Sequence, residues 1–355
     1  MLPSRCAIVA FGLLAVSLSH AASQRTFVST SGVNNANCFL TTPCRDFAAA
    51  LAATNPTGEI IVLDSGGYGS VTIGQSVSII APRGVYAGVS VLAGDGVTVN
   101  PGAGGKVTLR GLTINGQGGN RGIVVTSGDE VHIEQCIVTN MAADGIRIDG
   151  GLRIEVRSSL VRSNAASGLF VAAGAPEVRL IDSEFSRNVA HGILVARGSL
   201  DAERIVADQN DANGLSANPA AATAIIVTIS DSAFTANKLT GAIARPDLAG
   251  ATARFAVARS TSARNDGGGF GINTFNTGTG FLTVTDSAVV ENNGNGIIVS
   301  GTNAVGVVTR STVAHNAGFD FDQRPGSIFR SSVNNTLTGR GAPDINGVIT
   351  PNPLQ

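Results

Sequence analysis

Seven asparagines, Asn164, Asn188, Asn210, Asn237, Asn265, Asn292 and Asn316, recur at intervals of 22 to 28 residues, and the first six are each followed four residues later by glycine. A second marker keeps a fixed offset: Cys136, Ser159, Ser183, Ser232, Ser260 and Ser287 each precede the rung glycine by nine residues. One stretch of every repeat therefore never changes length. A period this short, carrying two-residue alternations of apolar and polar side chains and no helical spacing, predicts stacked coils of β-strand rather than helix pairs or propeller blades.

Three inward-facing sets recur in each coil. Ile146/Ile148, Leu169/Val171, Ile193/Val195 and Ile297/Val299 follow the glycine. Val131/Ile133, Ile154/Val156, Val178/Leu180, Val227/Ile229 and Leu282/Val284 lie upstream, and Val138, Val161, Phe185, Phe234, Val289 and Val313 form the third set. Parallel strands stack about 4.8 Å apart, so like residues become neighbours in columns. The asparagines are expected at bends, where their amides ladder and their backbone tolerates left-handed angles. The residue before the serine alternates in sign, Asp182, Arg204, Asp231, Arg259, Asp286, Arg310, which fixes which coil stacks on which.

Residues 1–22 have the form of a secretory signal: Arg5, an apolar run from Cys6 to Leu18, and a small-residue cleavage site. That run is shorter than the ~20 residues a membrane span needs, so the mature chain is expected to be exported, secreted or periplasmic. Residues 23–355 then form one solenoid domain, with an N-terminal cap over 23–58, coils over 59–320 and a C-terminal cap over 321–355. Asp46 to Ala53, with Phe47 and Leu51 four apart and Asp46 as N-cap, predicts a short helix closing the first coil. Without Arg5 the chain carries 23 basic and 25 acidic residues and no basic run, which excludes nucleic acid as a partner. Cys38 and Cys44 are expected to form a disulfide in an oxidising compartment, with Cys136 a buried free thiol. No histidine lies at metal-ligand spacing from these cysteines, and no metal is expected.

The segment PCRDFAAALAATNPTGEIIVLDSGGYGSVTI (Pro43 to Ile73) and the N-x-x-x-G-[IL] rungs resemble secreted right-handed parallel β-helix proteins of the pectate-lyase-like class, in particular small bacterial exported members. The resemblance implies an all-β, single-stranded right-handed parallel β-helix solenoid with an N-terminal capping helix, and the general preference of parallel crossovers gives the same hand. Fold alone does not fix activity.

Chemistry is expected beside the glycine strand. The residue before each glycine varies most, Arg121, Asp144, Ser167, His191, Asn213, Thr240, Gly268 and Asn295, while two positions past it Arg147 joins an otherwise apolar outward column of Val124, Phe170, Leu194, Ile243 and Ile298. Longer connections around Asn218 to Ala224, Arg245 to Thr252 and Asn273 to Gly280 predict a wall beside this strand. Asp144, His191 and Arg147 are the candidate catalytic set, an acid or base with a charge for developing anions. Arg121, Asn213 and Phe170 are the candidate substrate-binding residues. The expected partner is an acidic polysaccharide; an enzyme acting on it would be a lyase, a glycoside hydrolase or a C5-epimerase. Polygalacturonase motifs are matched only by AHG (Ala190 to Gly192), and the Asp-Pro-His-Asp motif of alginate epimerases is absent from the similar rung NVAHGILVARG. The calcium-binding acids of pectate lyases have no counterpart cluster here, so no cofactor is expected and calcium dependence stays open. His132, Glu155 and Arg179 read as a surface charge ladder. The other functional class is a non-catalytic exported solenoid, which the absence of tryptophan favours by removing sugar-stacking platforms.

Overall fold

The computed structural model describes residues 23–275, 277–339 and 344–352; the expected signal segment, residues 1–22, lies outside the described residues. The chain winds into a right-handed parallel β-helix in which each coil gives one strand to each of three sheets, of 14, 12 and 12 strands among the described residues. In chain order these are a first sheet (for example Glu130–Glu134), a second (Ile137–Thr139) and a glycine sheet (Ile146–Ile148). Successive coils register residue on residue: Ile146 lies on Leu169, Leu169 on Ile193, and Ile193 on Leu215. All three inward sets are buried, forming one continuous core down the axis. Each fully buried Val, Leu, Ile or Phe contributes roughly 1.5–3 kcal/mol, which is the main term holding the coils together.

Two tight bends shape each coil from Glu130 to His315, and both are left-handed at a residue other than glycine. Asp182, Arg204, Asp231, Arg259, Asp286 and Arg310 (φ 46 to 52°) make the bend between the first and second sheets. The sign-alternating column is thus a bend column, paired in twos: Arg204 to Asp182 at 2.6 Å, Arg259 to Asp231 at 2.7 Å and Arg310 to Asp286 at 2.7 Å. At the second bend the left-handed residue is the one before each ladder asparagine, such as Ser163, Arg187, Gln209 and Ala236 (φ 52 to 56°). This corrects the expectation that the asparagine itself takes the left-handed angle. Its amide must point inward to ladder, and the preceding bend is what aims it there.

The ladder runs without a gap from Asn164 to Asn316, each Nδ2 donating to the next Oδ1 at 2.9–3.0 Å. Asp320 stands where a rung glycine would be and ends the row, accepting from Asn316 Nδ2 at 2.9 Å and from the Thr338 amide at 3.1 Å. The serines form a parallel row; Ser159, for example, gives its hydroxyl to Arg157 O and accepts the amide of Cys136. The spacing Asn-x-x-x-Gly has a steric cause. A Cβ at Gly192 would sit 2.6 Å from Gly214 O and 2.8 Å from Asn210 Nδ2, inside the space the ladder occupies.

The helix Phe47–Ala53 forms as expected, with the Asp46 carboxylate accepting the Ala49 amide at 2.8 Å. Phe47, Ala50 and Ala53 are its buried face. Cys38 and Cys44 are disulfide-bonded beside it, and Cys136 is a buried free thiol that burial pushes up to about 12. Strand Ser23–Val28 pairs with Thr54–Val62 and extends the first sheet into the cap. At the other end the coils do not stop at 320: strands Phe321–Gln323, Ile328–Ser331, Thr336–Thr338 and Ile349–Pro351 continue all three sheets.

Candidate binding groove

Alternation along the glycine strands sends one residue per coil outward. In register these are Val124, Arg147, Phe170, Leu194, Ser216, Ile243, Gly271 and Ile298. Although they point away from the core, Val124, Ser216 and Ile243 are only 4 %, 0 % and 9 % exposed. Arg147, Phe170, Leu194 and Ile298 are half-buried, and the column runs as a low floor between two flanks. One flank is the residue before each glycine; the other is the set of turns leading back to the first sheet.

The pre-glycine flank proves to be a further ladder. Asp144 Oδ1 accepts the Ser167 amide at 3.1 Å, His191 Nδ1 the Asn213 amide at 3.3 Å, Asn213 Oδ1 the Thr240 amide at 2.9 Å, and Asn295 Oδ1 the Phe319 amide at 2.9 Å. Each side chain satisfies a backbone donor of the next coil. Sequence spacing had placed these residues in one column without showing that their polar atoms are spent there.

Of the candidate catalytic set, the structure brings Asp144 and Arg147 together and leaves His191 apart. Arg147 bridges Asp144 (3.3 Å) and Asp149 (2.9 Å), and its guanidinium lies 4.9 Å from the centre of the Phe170 ring. Burial works against the Arg147 charge, but these two carboxylates outweigh it and hold its pKa above the ordinary value. His191 is two coils from Asp144, roughly 9–10 Å on the strand spacing. Burial first, and then the Arg245 charge, hold its imidazole below the ordinary value. With Nδ1 accepting an amide, His191 is a neutral ring whose proton sits on Nε2. Arg121, a candidate binding residue, approaches Asp95 at 4.0 Å and keeps a buried Nε with no hydrogen-bond partner among the described residues.

The second flank is lower than its sequence length implies. The long connections give part of their extra residues to longer first-sheet strands, Ala224–Ser230, Thr252–Ala258 and Thr279–Thr285, seven residues each against five in Arg153–Arg157. What remains includes Phe275, 55 % exposed, with the Arg245 guanidinium 5.7 Å from its ring centre. Sequence reading missed Phe275, because a lone aromatic in a variable loop carries no periodic signal. A separate depression of about 680 Å³ lies elsewhere, on the outer face of the first sheet.

A family profile described as "Right handed beta helix region" matches residues 95–252. The chain is similar to the A-module of the Azotobacter vinelandii mannuronan C-5 epimerase AlgE4, at 15 % identity and a TM-score of 0.63 over 81 % of this chain and 88 % of that one. It is also similar to the pectate lyase Pel9A, with 16 % identity, a TM-score of 0.52, and 89 % and 79 % coverage. The Dettilon tailspike protein shares 12 % identity and a TM-score of 0.54, over 92 % and 68 %. No curated protein matches the chain. At such identities the likeness carries the architecture alone, and the stacked coils and the profile over residues 95–252 agree on it: the fold is a right-handed parallel β-helix.

Proposed function

We propose that this protein binds a polysaccharide laid along the groove of the glycine sheet, crossing successive coils. The observation that carries the reading is the mainly apolar outward column of the glycine sheet, with Val124 and Ile243 buried and Phe170, Leu194 and Ile298 half-buried, running between a polar ladder and the turns that carry Phe275. A pyranose presents apolar C–H faces and polar edges, and a floor of this kind with amide and hydroxyl flanks matches both. Two proteins of the same fold are named for mannuronan and pectate, which supports a polymeric sugar ligand.

Binding is the role assigned, with no bond-breaking step. Asp144 accepts the Ser167 amide and Arg147, His191 Nδ1 accepts the Asn213 amide, and the two stand two coils apart, so in this reading both serve to hold the flank of the groove. In this reading Asp144 and Asp149 position Arg147, which in turn holds Phe170 as a platform. Charge balance favours an uncharged chain over the acidic one expected from resemblance. Arg121, Arg147, Arg245 and Arg324 each face a carboxylate, of Asp95, Asp144 and Asp149, Asp247, and Asp322 respectively. With each of these charges already offset by a carboxylate, the groove offers a uronate little net attraction. Export fits the Cys38–Cys44 disulfide, which is a bond of oxidising compartments; a mature N-terminus near residue 23 in the secreted or periplasmic fraction is the expected readout.

Affinity electrophoresis of the mature protein in gels containing neutral glucans, alginate or polygalacturonate tests the reading. Retardation by a neutral polymer, weakened about tenfold or more in Phe170→Ala, is expected. Retardation by none, or equal retardation of the variant, would contradict it.

A further inference from the structure

The geometry points to a divalent transition-metal site on the outer face of the first sheet, formed by His132, Glu134 and Glu155, away from the groove and independent of its reading. These side chains project from two adjacent parallel strands, Glu130–Glu134 and Arg153–Arg157, where His132 registers on Glu155. One ligand atom from each lies within 4.8 Å of the other two. Zinc binds imidazole nitrogen and carboxylate oxygen at about 2.0–2.2 Å, so small side-chain rotations close this triangle around one ion.

Three further observations favour a ligand there. The His132 ring has no hydrogen-bond or ion-pair partner among the described residues, on a face where its charged neighbours are paired. Glu134 uses Oε2 for Arg110 (2.7 Å), and Glu155 uses Oε1 for Arg157 (2.9 Å), which leaves one oxygen of each carboxylate uncommitted. These arginines act as the outer shell that orients metal-binding carboxylates, and they offset the repulsion of bringing two together. His132 and Glu155 also line the depression of about 680 Å³, with Arg153, Arg179, Asp201 and Thr228. The open side of the triangle thus faces a recess, and three protein ligands leave a coordination position for water. Calcium fits poorly, because it takes six to eight oxygens and this set supplies two carboxylates and a nitrogen.

Titration of the chelator-treated mature protein with Co²⁺, followed by visible d–d absorption, tests the site. One equivalent should saturate, Zn²⁺ should displace it, and both His132→Ala and Glu155→Gln should weaken binding about tenfold or more. Glu177→Gln, in the same recess, and His315→Ala, on another face, should bind as the parent does. Circular dichroism verifies each fold; where His132→Ala folds poorly, the shape-conserving Glu155→Gln decides. Absence of a saturable one-equivalent signal, or binding unchanged in Glu155→Gln, overturns the proposal.

Discussion

Each ladder amide replaces several backbone partners that the stacking of coils would otherwise strand. Asn237 Oδ1 accepts the Asn210 amide (3.1 Å) and its Nδ2 (2.9 Å), while its own Nδ2 reaches Asn265 Oδ1 (2.9 Å) and Ala207 O (3.0 Å). Asn237→Ala would leave buried groups of two coils unpaired and should lower stability by about 2–4 kcal/mol in urea unfolding. One residue earlier, exposed Ala236 holds a left-handed angle, φ 52°. Ala236→Gly removes a backbone cost of about 1–2 kcal/mol while adding about 0.5–1 kcal/mol of chain entropy, so a net gain of about 0.5–1 kcal/mol is expected in the same measurement. Asp64 sets an acid limit. Burial raises its pKa, but hydrogen bonds from Tyr68, Ser29, and the amide and hydroxyl of Thr30 outweigh this and hold it at about 2, below its ordinary 3.8. Since the folded value is the lower one, the stabilisation is complete above pH ~4 and is lost as pH falls toward 2. Asp64→Asn should lower stability at neutral pH and flatten the fall between pH 4 and 2.

The helix Phe47–Ala53 and the disulfide-closed loop beside it cover a coil edge that would otherwise expose unpaired strand groups. Closing so short a loop contributes about 2 kcal/mol in the chain-entropy account, so the double substitution Cys38→Ser, Cys44→Ser should lower stability by about that amount, read as the shift in unfolding midpoint. This cap was legible in the sequence because Asp46, Phe47 and Leu51 carry local signals of helix start and spacing. The strands were legible because burial on one side imposes alternation. The groove was legible only as columns: the offset from the glycine places Asp144, His191 and Asn213 on one flank, but whether their polar atoms face a ligand or the next coil's amide depends on the turn between coils, which has no sequence signature. Loop height escaped for a related reason. Added residues between Gly214 and Ser232 can lengthen either a turn or a strand, and here they do both.

At the level of the whole molecule the chain is a one-dimensional stack, so a site is a property of several coils rather than of one. The floor from Val124 to Ile298 crosses eight coils, and seven steps of about 4.8 Å make it about 34 Å long. A small compact ligand would use one or two coils and leave the rest idle. A polymer lying along the axis would use them together, and its affinity would grow with each added sugar until the floor is filled. Isothermal titration with a length series of oligosaccharides from whichever polymer retards the protein measures this directly. Affinity that climbs with chain length to about 34 Å and then levels is the expected result; affinity already complete with a mono- or disaccharide would contradict a groove built from stacked coils.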